Sequence, residues 1–151
     1  MQSIYIKIAL IGDKQTGKTR FTRLVNNIEE TDYTPTLGVD VAIKDIIHNG
    51  TKYVLNFWDC AGDERYMGLG RDYLINSDYV LLFTNQDDNK TELFKQWIPE
   101  NTKYHIVQFT DLNVEQHINS ILIDLYYNNN YSTINKNNIT YYFYFIHDIY
   151  K

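Results

Sequence analysis

The sequence predicts an α/β fold, in which helices cover a mostly parallel sheet that carries one antiparallel hairpin at its edge. Short apolar runs of strand length alternate along the chain with segments whose apolar residues recur at helical spacing. The pair Asn49-Gly50 separates two of the strand-like runs, and Asn-Gly is typical of a tight hairpin because both residues tolerate positive φ. In sheets of this kind the ligand lies beyond the carboxyl ends of the strands.

The predicted elements follow in chain order. Strands are predicted at residues 4–11, 39–44, 53–58, 79–83, 105–109 and 139–146. Helices are predicted at residues 17–27, 91–97 and 114–127, and Pro99 is expected to end the second of them. The asparagine-rich segment 128–138 is expected to be a loop. A chain of 151 residues fits one domain, so residues 1–151 are assigned to a single domain.

Composition excludes several classes of function. The net charge of −5 does not favour nucleic acid as a ligand. The four histidines are scattered and make no metal-ligand spacing with the single cysteine, Cys60. One cysteine allows no intramolecular disulfide, which favours a reducing compartment. The sequence also has no signal-peptide layout, no apolar stretch of membrane-spanning length and no carboxyl-terminal cysteine for prenylation. A cytoplasmic or nuclear protein without a membrane anchor is therefore expected.

The strongest motif is a glycine-rich loop between the first strand and the first helix, with the pattern Gly12-x-x-x-x-Gly17-Lys18-Thr19. The two glycines allow a sharp turn whose backbone N–H groups point at phosphate oxygens, and the helix start adds partial positive charge. Lys18 is expected to reach the β and γ phosphates, and the Thr19 hydroxyl to bind Mg²⁺. The residues of this region predicted to bind the nucleotide are Asp13, Lys14, Gln15, Thr16, Gly17, Lys18, Thr19 and Arg20.

Three further residues fit a magnesium and γ-phosphate site. Asp59 ends an apolar strand about forty residues after the loop. This position suits a carboxylate that holds Mg²⁺ indirectly, through one of the groups bound to the ion. Gly62 leaves room for a backbone N–H to approach the γ-phosphate. Thr36 lies between the first helix and the second strand, where its hydroxyl is predicted to bind Mg²⁺ when a triphosphate is present. The predicted metal ligands are therefore Thr19, Thr36 and Asp59.

Together these motifs resemble the small GTPases of the Ras superfamily. The Thr36-Leu37-Gly38-Val39 run and the Gly68-Leu69…Arg71-Asp72 run are most similar to Ran, with Rab next. The resemblance covers about residues 4–84. It implies a P-loop NTPase of the G-domain kind, with Mg²⁺ and GTP or GDP as ligands. It also implies a switch I around Thr36, a switch II at residues 62–70, a Tyr33 that closes over the γ-phosphate, and effector or transport-factor proteins as partners.

Two departures from the family concern hydrolysis. Lys18, Thr36 and Asp63 hold the positions of the catalytic machinery, but Asp63 stands where the family has a water-orienting glutamine. Aspartate is shorter and negatively charged, so it is expected to position the attacking water poorly. Lys14 and Gln15 stand where the family has small residues and are expected to obstruct an arginine supplied by a partner. The alternative is that Lys14 offers its own cation to the γ-phosphate, although lysine lacks the fixed fork of arginine.

A third departure concerns the base. The guanine-reading Asn-Lys-x-Asp of the family is replaced here by Thr110-Asp111-Leu112-Asn113. An asparagine at the fourth position offers one acceptor and one donor where guanine needs two acceptors, a mismatch of about 1–3 kcal/mol when buried. Thr110, Asp111 and Asn113 are therefore predicted to line the base pocket. This pocket is expected to prefer guanine or xanthine, or to accept several bases.

A fourth departure concerns the end of the chain, where the last helix of the family is expected to be missing. The aromatic strand at residues 139–146 is then either an exposed face, through which a homodimer forms, or is covered by segment 114–127. The sequence thus supports two functions. One is a Ran-like switch with slow or impaired GTP hydrolysis, and the other is a catalytically inactive pseudo-GTPase that engages partners of cellular Ran or Rab proteins.

Overall fold

The computed structural model describes residues 1–27, 39–48, 50–60, 73–85, 90–108, 110 and 112–127. Its strands are β1 (Gln2–Gly12), β2 (Val39–His48), β3 (Thr51–Cys60), β4 (Tyr79–Thr84) and β5 (Lys103–Gln108). Its helices are α1 (Lys18–Val25), α2 (Thr91–Lys95) and α3 (Val114–Leu122), and a π-helical turn (Ile123–Tyr127) follows α3. The predicted loop at 128–138 and strand at 139–146, and with them the question of a last helix, lie outside the described residues.

The predicted fold class is confirmed. The five strands form one sheet in the order β2-β3-β1-β4-β5. Strand β1 pairs in parallel with β3 and β4, β4 pairs in parallel with β5, and β2 pairs antiparallel with β3. His48 is paired with Thr51, so only Asn49 and Gly50 lie between the two strands of the hairpin. Gly50 has a φ of 75°, which is the positive value that a two-residue hairpin loop requires.

Apolar side chains cover both faces of the sheet. On one face, Phe21 of α1 makes edge-to-face contacts with Phe57 and Phe83, and Ile118 and Ile121 of α3 belong to the same buried cluster. On the other face, a second cluster gathers around α2. Its fully or nearly fully buried members are Ala9, Ile11, Cys60, Leu74, Val80, Leu82 and Phe94. Because β1 and β4 contribute to both clusters, their carboxyl ends are rigidly placed.

All three α-helices are shorter than the sequence predicts, and α1 spans Lys18–Val25 and not residues 17–27. Helix α2 ends at Lys95 and not at residue 97, and Trp97 and Ile98 instead donate to the carbonyls of Phe94 and Lys95, three residues back. The Pro99 ring would clash with the carbonyl four residues earlier, so the α-helical pattern cannot extend to it. The predicted helix at 114–127 is α-helical only to Leu122 and then widens into the π-helical turn.

A series of hydrogen bonds joins polar side chains beside the buried cluster that contains Phe21, beginning at Tyr79 of β4. Tyr79 donates its hydroxyl to Asp124 at 2.5 Å and lies 2.9 Å from His105 Nδ1, and His105 Nε2 lies 2.9 Å from His117 Nδ1. A carboxylate only accepts, so Tyr79 must accept from His105 Nδ1–H. His105 Nε2 is then the acceptor for His117 Nδ1–H. One tautomer of each imidazole satisfies the whole series.

Acidification is expected to destabilise the fold through His105. Burial, followed by the nearby His117, lowers the pKa of His105 to about 4. In the unfolded chain the histidine pKa is about 6.5. Between about pH 6.5 and 4 the unfolded chain therefore binds a proton at His105 that the folded chain does not bind. As far as His105 is concerned, the free energy of unfolding is thus expected to be highest above about pH 6.5 and to decrease as the pH drops towards about 4.

Denaturant unfolding at a series of pH values would measure this loss. The matched variant His105→Asn keeps a donor towards Tyr79 but removes the titrating ring, so its stability should change less between pH 6.5 and 5. Equal pH slopes for the two proteins in that range would show that His105 makes no contribution.

Candidate phosphate and magnesium site

The glycine-rich loop begins where β1 and β4 approach closely. Gly12 has a φ of 143°, and a Cβ placed on it would lie 2.3 Å from the backbone oxygen of Phe83. Only glycine therefore fits at this position without displacing the backbone of β4. The loop leaves the sheet at its carboxyl-terminal edge and ends at Gly17, whose φ of 98° leads into α1.

Lys18 lies beneath the loop with its ammonium folded back onto it. Its side chain is buried, and Nζ donates to the carbonyl oxygens of Gly12 at 2.8 Å and Asp13 at 2.6 Å. A buried ammonium must have such acceptors, because an uncompensated charge is costly away from water. The arrangement holds a positive charge at the start of α1, where the helix dipole also favours an anion.

Asp13 gives the loop its shape. Its carbonyl accepts from both Lys18 and the Thr16 hydroxyl, the latter at 2.6 Å. Its carboxylate accepts from the backbone N–H of Lys14 at 2.9 Å and forms an ion pair with Lys90 at 3.5 Å. Thr16 is fully buried, so the loop is fixed from inside by a hydroxyl and from outside by a carboxylate.

Lys14 and Gln15 form the exposed tip of the loop. Gln15 has a φ of 58°, in the left-handed region that costs a residue with a side chain about 1–2 kcal/mol. The tip therefore carries side-chain bulk where the family has small residues, as the sequence indicates. Arg20, one turn into α1, is also exposed.

Thr19 and Asp59 meet although forty residues separate them in the sequence. The Thr19 hydroxyl donates to Asp59 Oδ2 at 2.7 Å, and Asp59 is fully buried at the end of β3. The parallel pairing of β1 with β3 places the end of β3 beside the loop and the start of α1, where Thr19 lies. A hydroxyl and a carboxylate are hard oxygen donors of the kind that Mg²⁺ prefers, so the pair fits a magnesium ion.

The described parts of the chain hold no cluster of three or more histidine, cysteine, aspartate or glutamate side chains that could bind a metal by themselves. Magnesium is usually held by one or two protein oxygens together with phosphates and water. The pair Thr19–Asp59 is therefore suited to an ion that arrives with a polyphosphate.

The end of β5 supplies the predicted base site, of which Thr110 and Asn113 are described. Asn113 is the residue before α3, and its side-chain oxygen accepts from the backbone N–H of Gln116 at 3.2 Å. The side-chain oxygen thus caps the helix, a role that asparagine commonly plays. Thr110 is exposed. A base that hydrogen-bonds to the Asn113 side-chain oxygen would have to share that oxygen with the backbone N–H of Gln116.

The family described as "Ras of Complex, Roc, domain of DAPkinase" matches residues 7–118 of this chain. The chain belongs to the Roc/Ras family of GTPase domains. The match includes the glycine-rich loop, β3 with Asp59, and the start of α3, so the elements that form the site lie within it.

Curated relatives of this Roc/Ras-family GTPase domain include Rab proteins and Ras proteins with EF-hand domains. The Ras and EF-hand domain-containing protein homolog of Mus musculus is 37% identical over 94 residues, which are 61% of this chain and 15% of that protein. The Ypt/Rab-type GTPase ypt71 of Schizosaccharomyces pombe is 29% identical over 89 residues, 58% of this chain and 43% of its own length. Ras-related protein RabC of Dictyostelium discoideum is 31% identical over 107 residues, 68% of this chain and 55% of its own length. The chain therefore spans between 15% and 55% of the length of these relatives.

Five predicted site residues of this GTPase domain lie outside the described residues, and their roles stay predictions. They are Tyr33, Thr36, Gly62, Asp63 and Asp111. The described end of β2, Val39, is paired with Cys60 at the end of β3. The two segments that carry Thr36 and Asp63 are thus joined to neighbouring positions of one hairpin.

Cys60 is buried beside Asp59 at the end of β3. Burial, followed by the charge of Asp59, raises the pKa of the Cys60 thiol to about 12. The thiol is therefore protonated at neutral pH and a poor nucleophile. The described helices of the domain include none of the length and apolar character that a membrane crossing needs.

The sequence prediction missed Lys90. It precedes α2, far from any motif, and only the folded chain brings it to Asp13. The mixed charge of the segment 86–92 gives no signal for this contact.

Proposed function

We propose that this chain is a Ran-like small GTP-binding switch that binds GTP or GDP with Mg²⁺ and hydrolyses GTP slowly. The observation that carries the proposal is the phosphate loop with the buried Lys18 ammonium beneath it and the Thr19–Asp59 pair beside it. The Ran-like character rests on the run from Thr36 to Val39. Cytoplasm or nucleus is the proposed location, and switch-binding proteins are the proposed partners.

Each part of the site has a task in this proposal. The Lys18 ammonium has three donors, so it can bind the β and γ phosphates while it still donates to the Asp13 carbonyl, and the amides of the loop bind phosphate oxygens. Bound Mg²⁺ supplies charge neutralisation at those oxygens when it is held by Thr19 and, through water, by Asp59. A water molecule then attacks the γ-phosphate in line with the leaving oxygen, and Lys18 and the loop amides stabilise the developing charge.

Slow hydrolysis follows from two features of the chain. Asp63 replaces the glutamine that orients the attacking water in the family. Lys14 and Gln15 add bulk at the exposed tip of the loop, where an arginine from a partner protein would approach. Such an arginine contributes about 10³–10⁵ in rate, so its exclusion alone leaves a slow enzyme.

Replacing Asp63 by glutamine is expected to raise the rate of GTP hydrolysis, by up to about 10²-fold if the position of the water is what limits the wild type. Asp63→Asn is the matched control, because it removes the charge but keeps the short side chain. Single-turnover assays with GTP and Mg²⁺ would compare these variants with wild type and with Lys18→Ala. A wild-type rate no higher than that of Lys18→Ala would remove the enzymatic part of the proposal.

The second candidate is an inactive pseudo-GTPase that binds nucleotide and occupies partners of cellular Ran or Rab proteins. The observation that favours it is the loop tip, where Gln15 keeps a side chain at a φ of 58° that glycine would adopt at no steric cost. Retention of triphosphate with partner binding and without turnover would support this candidate, and rapid hydrolysis would exclude it.

The base preference is a separate part of the proposal. Guanine is expected from the family, while the cap formed by Asn113 favours a weaker or broader preference. Identifying the nucleotide that copurifies with the protein, followed by competition among GTP, XTP and ATP, would decide between them. Strict selectivity for GTP would end the idea of a relaxed pocket.

A further inference from the structure

Lys90, the residue that precedes α2, contacts the phosphate loop. Lys90 Nζ lies 3.5 Å from Asp13 Oδ2, and the two side chains are about one third and one quarter exposed. The other carboxylate oxygen, Oδ1, accepts from the backbone N–H of Lys14. The Asp13 carboxylate is therefore held on two sides, by the loop itself and by a residue from another element.

Lys90 is itself well placed for this contact. Its carbonyl accepts from the backbone N–H of Phe94 in the first turn of α2, at 3.1 Å. The next residue, Thr91, shares a hydrogen bond of 3.1 Å with the Thr84 hydroxyl at the end of β4. Since Gly12, the residue before Asp13, is paired with Phe83 of β4, the first residues of the loop are held both by β4 and by the residue that precedes α2.

Asp13 is the residue through which such an anchor can act on the nucleotide. Its carbonyl accepts from Lys18 Nζ and from the Thr16 hydroxyl. A rotation of the Asp13 peptide would therefore move the Lys18 ammonium, which binds the phosphates in the proposed function. Asp13 thus connects the Lys90 ammonium, through its carboxylate, with the Lys18 ammonium, through its carbonyl.

We propose that Lys90 is a positioning residue of the phosphate loop that slows the release of bound nucleotide. The inference rests on the proposed nucleotide binding and adds a residue to it that lies outside every motif of the sequence. Exposed ion pairs contribute little to global stability, so the effect is expected in the lifetime of the nucleotide complex and not in the melting temperature.

The test is the rate at which a fluorescent GDP analogue dissociates from the full chain in Mg²⁺ buffer after addition of excess GDP. Lys90→Met is expected to release the analogue about two- to fivefold faster than wild type, and Lys90→Arg to restore slow release. Lys95→Met is the matched control, because Lys95 forms an exposed ion pair with Glu92 on the same helix. Raising the salt concentration should reduce the difference between wild type and Lys90→Met, because salt screens the ion pair.

The outcomes separate the two proposals. Equal release rates for Lys90→Met and Lys95→Met, in a chain that does bind the analogue, would overturn the role of Lys90 and leave the proposed function intact. If Lys90→Arg released the analogue as fast as Lys90→Met, the role of Lys90 would also be overturned. No binding of the analogue to wild type would overturn the proposed function and this inference together.

Discussion

Lys18→Ala is expected to lower the affinity for GTP in the presence of Mg²⁺ by about 10²-fold or more. The side chain supplies a buried ammonium with donors that already lie on the loop, and each hydrogen bond to a charged group is worth about 1.5–3 kcal/mol. Alanine also leaves the carbonyls of Gly12 and Asp13 without this donor. Both effects weaken the site for any polyphosphate, whatever its base.

Titration calorimetry with GTP and Mg²⁺ would measure the loss. Lys95→Ala removes an exposed ammonium from α2 and should bind as wild type does, which separates the site from a general effect of net charge. If Lys18→Ala bound GTP as tightly as Lys95→Ala, the loop would not be the phosphate site.

Gly12→Ala is expected to destabilise the whole domain by about 3–5 kcal/mol. The new methyl group would lie 2.3 Å from the Phe83 carbonyl oxygen, and the φ of 143° is one that residues with a side chain rarely adopt. Overpacking costs about 1–3 kcal/mol and a strained backbone a similar amount. A typical domain has about 5–15 kcal/mol in total, so the change removes a large part of it.

Gly50→Ala provides the matched control for a glycine of positive φ. Its φ is 75°, and an added Cβ would meet nothing within 4 Å. It is therefore expected to cost about 1–2 kcal/mol, the penalty of the left-handed backbone alone. Denaturant unfolding of both variants would measure the difference. Similar losses would mean that the contact between β1 and β4 gives way more easily than the structure indicates.

The sheet could be predicted from the sequence because its signals are local. Apolar runs of strand length mark β1, β3 and β4, and Asn49-Gly50 marks the turn of the hairpin. The observed strands extend one to four residues beyond the predicted bounds at one or both ends. The contact between Thr19 and Asp59 also follows from topology, because parallel strands end at the same edge.

Contacts between distant polar side chains could not be predicted in this way. His105 and His117 are far apart in the sequence and give no metal-ligand pattern, yet β5 and α3 bring their rings within hydrogen-bond distance, 2.9 Å from Nε2 to Nδ1. Lys90 meets Asp13 only because α2 begins beside the end of β4. The widening of α3 into a π-helical turn accompanies the contact of Asp124 with Tyr79, and no periodicity in the segment foretells it.

The burial of β4 has a consequence for the order in which the domain opens. All six residues of β4 are buried, and the strand is paired on both sides. Its amide hydrogens are therefore expected to exchange with deuterium only in global unfolding, whereas those of the edge strand β2 exchange through smaller openings. The phosphate loop follows β1, the strand next to β4, so its first residue, Gly12, is anchored in the most protected part of the sheet.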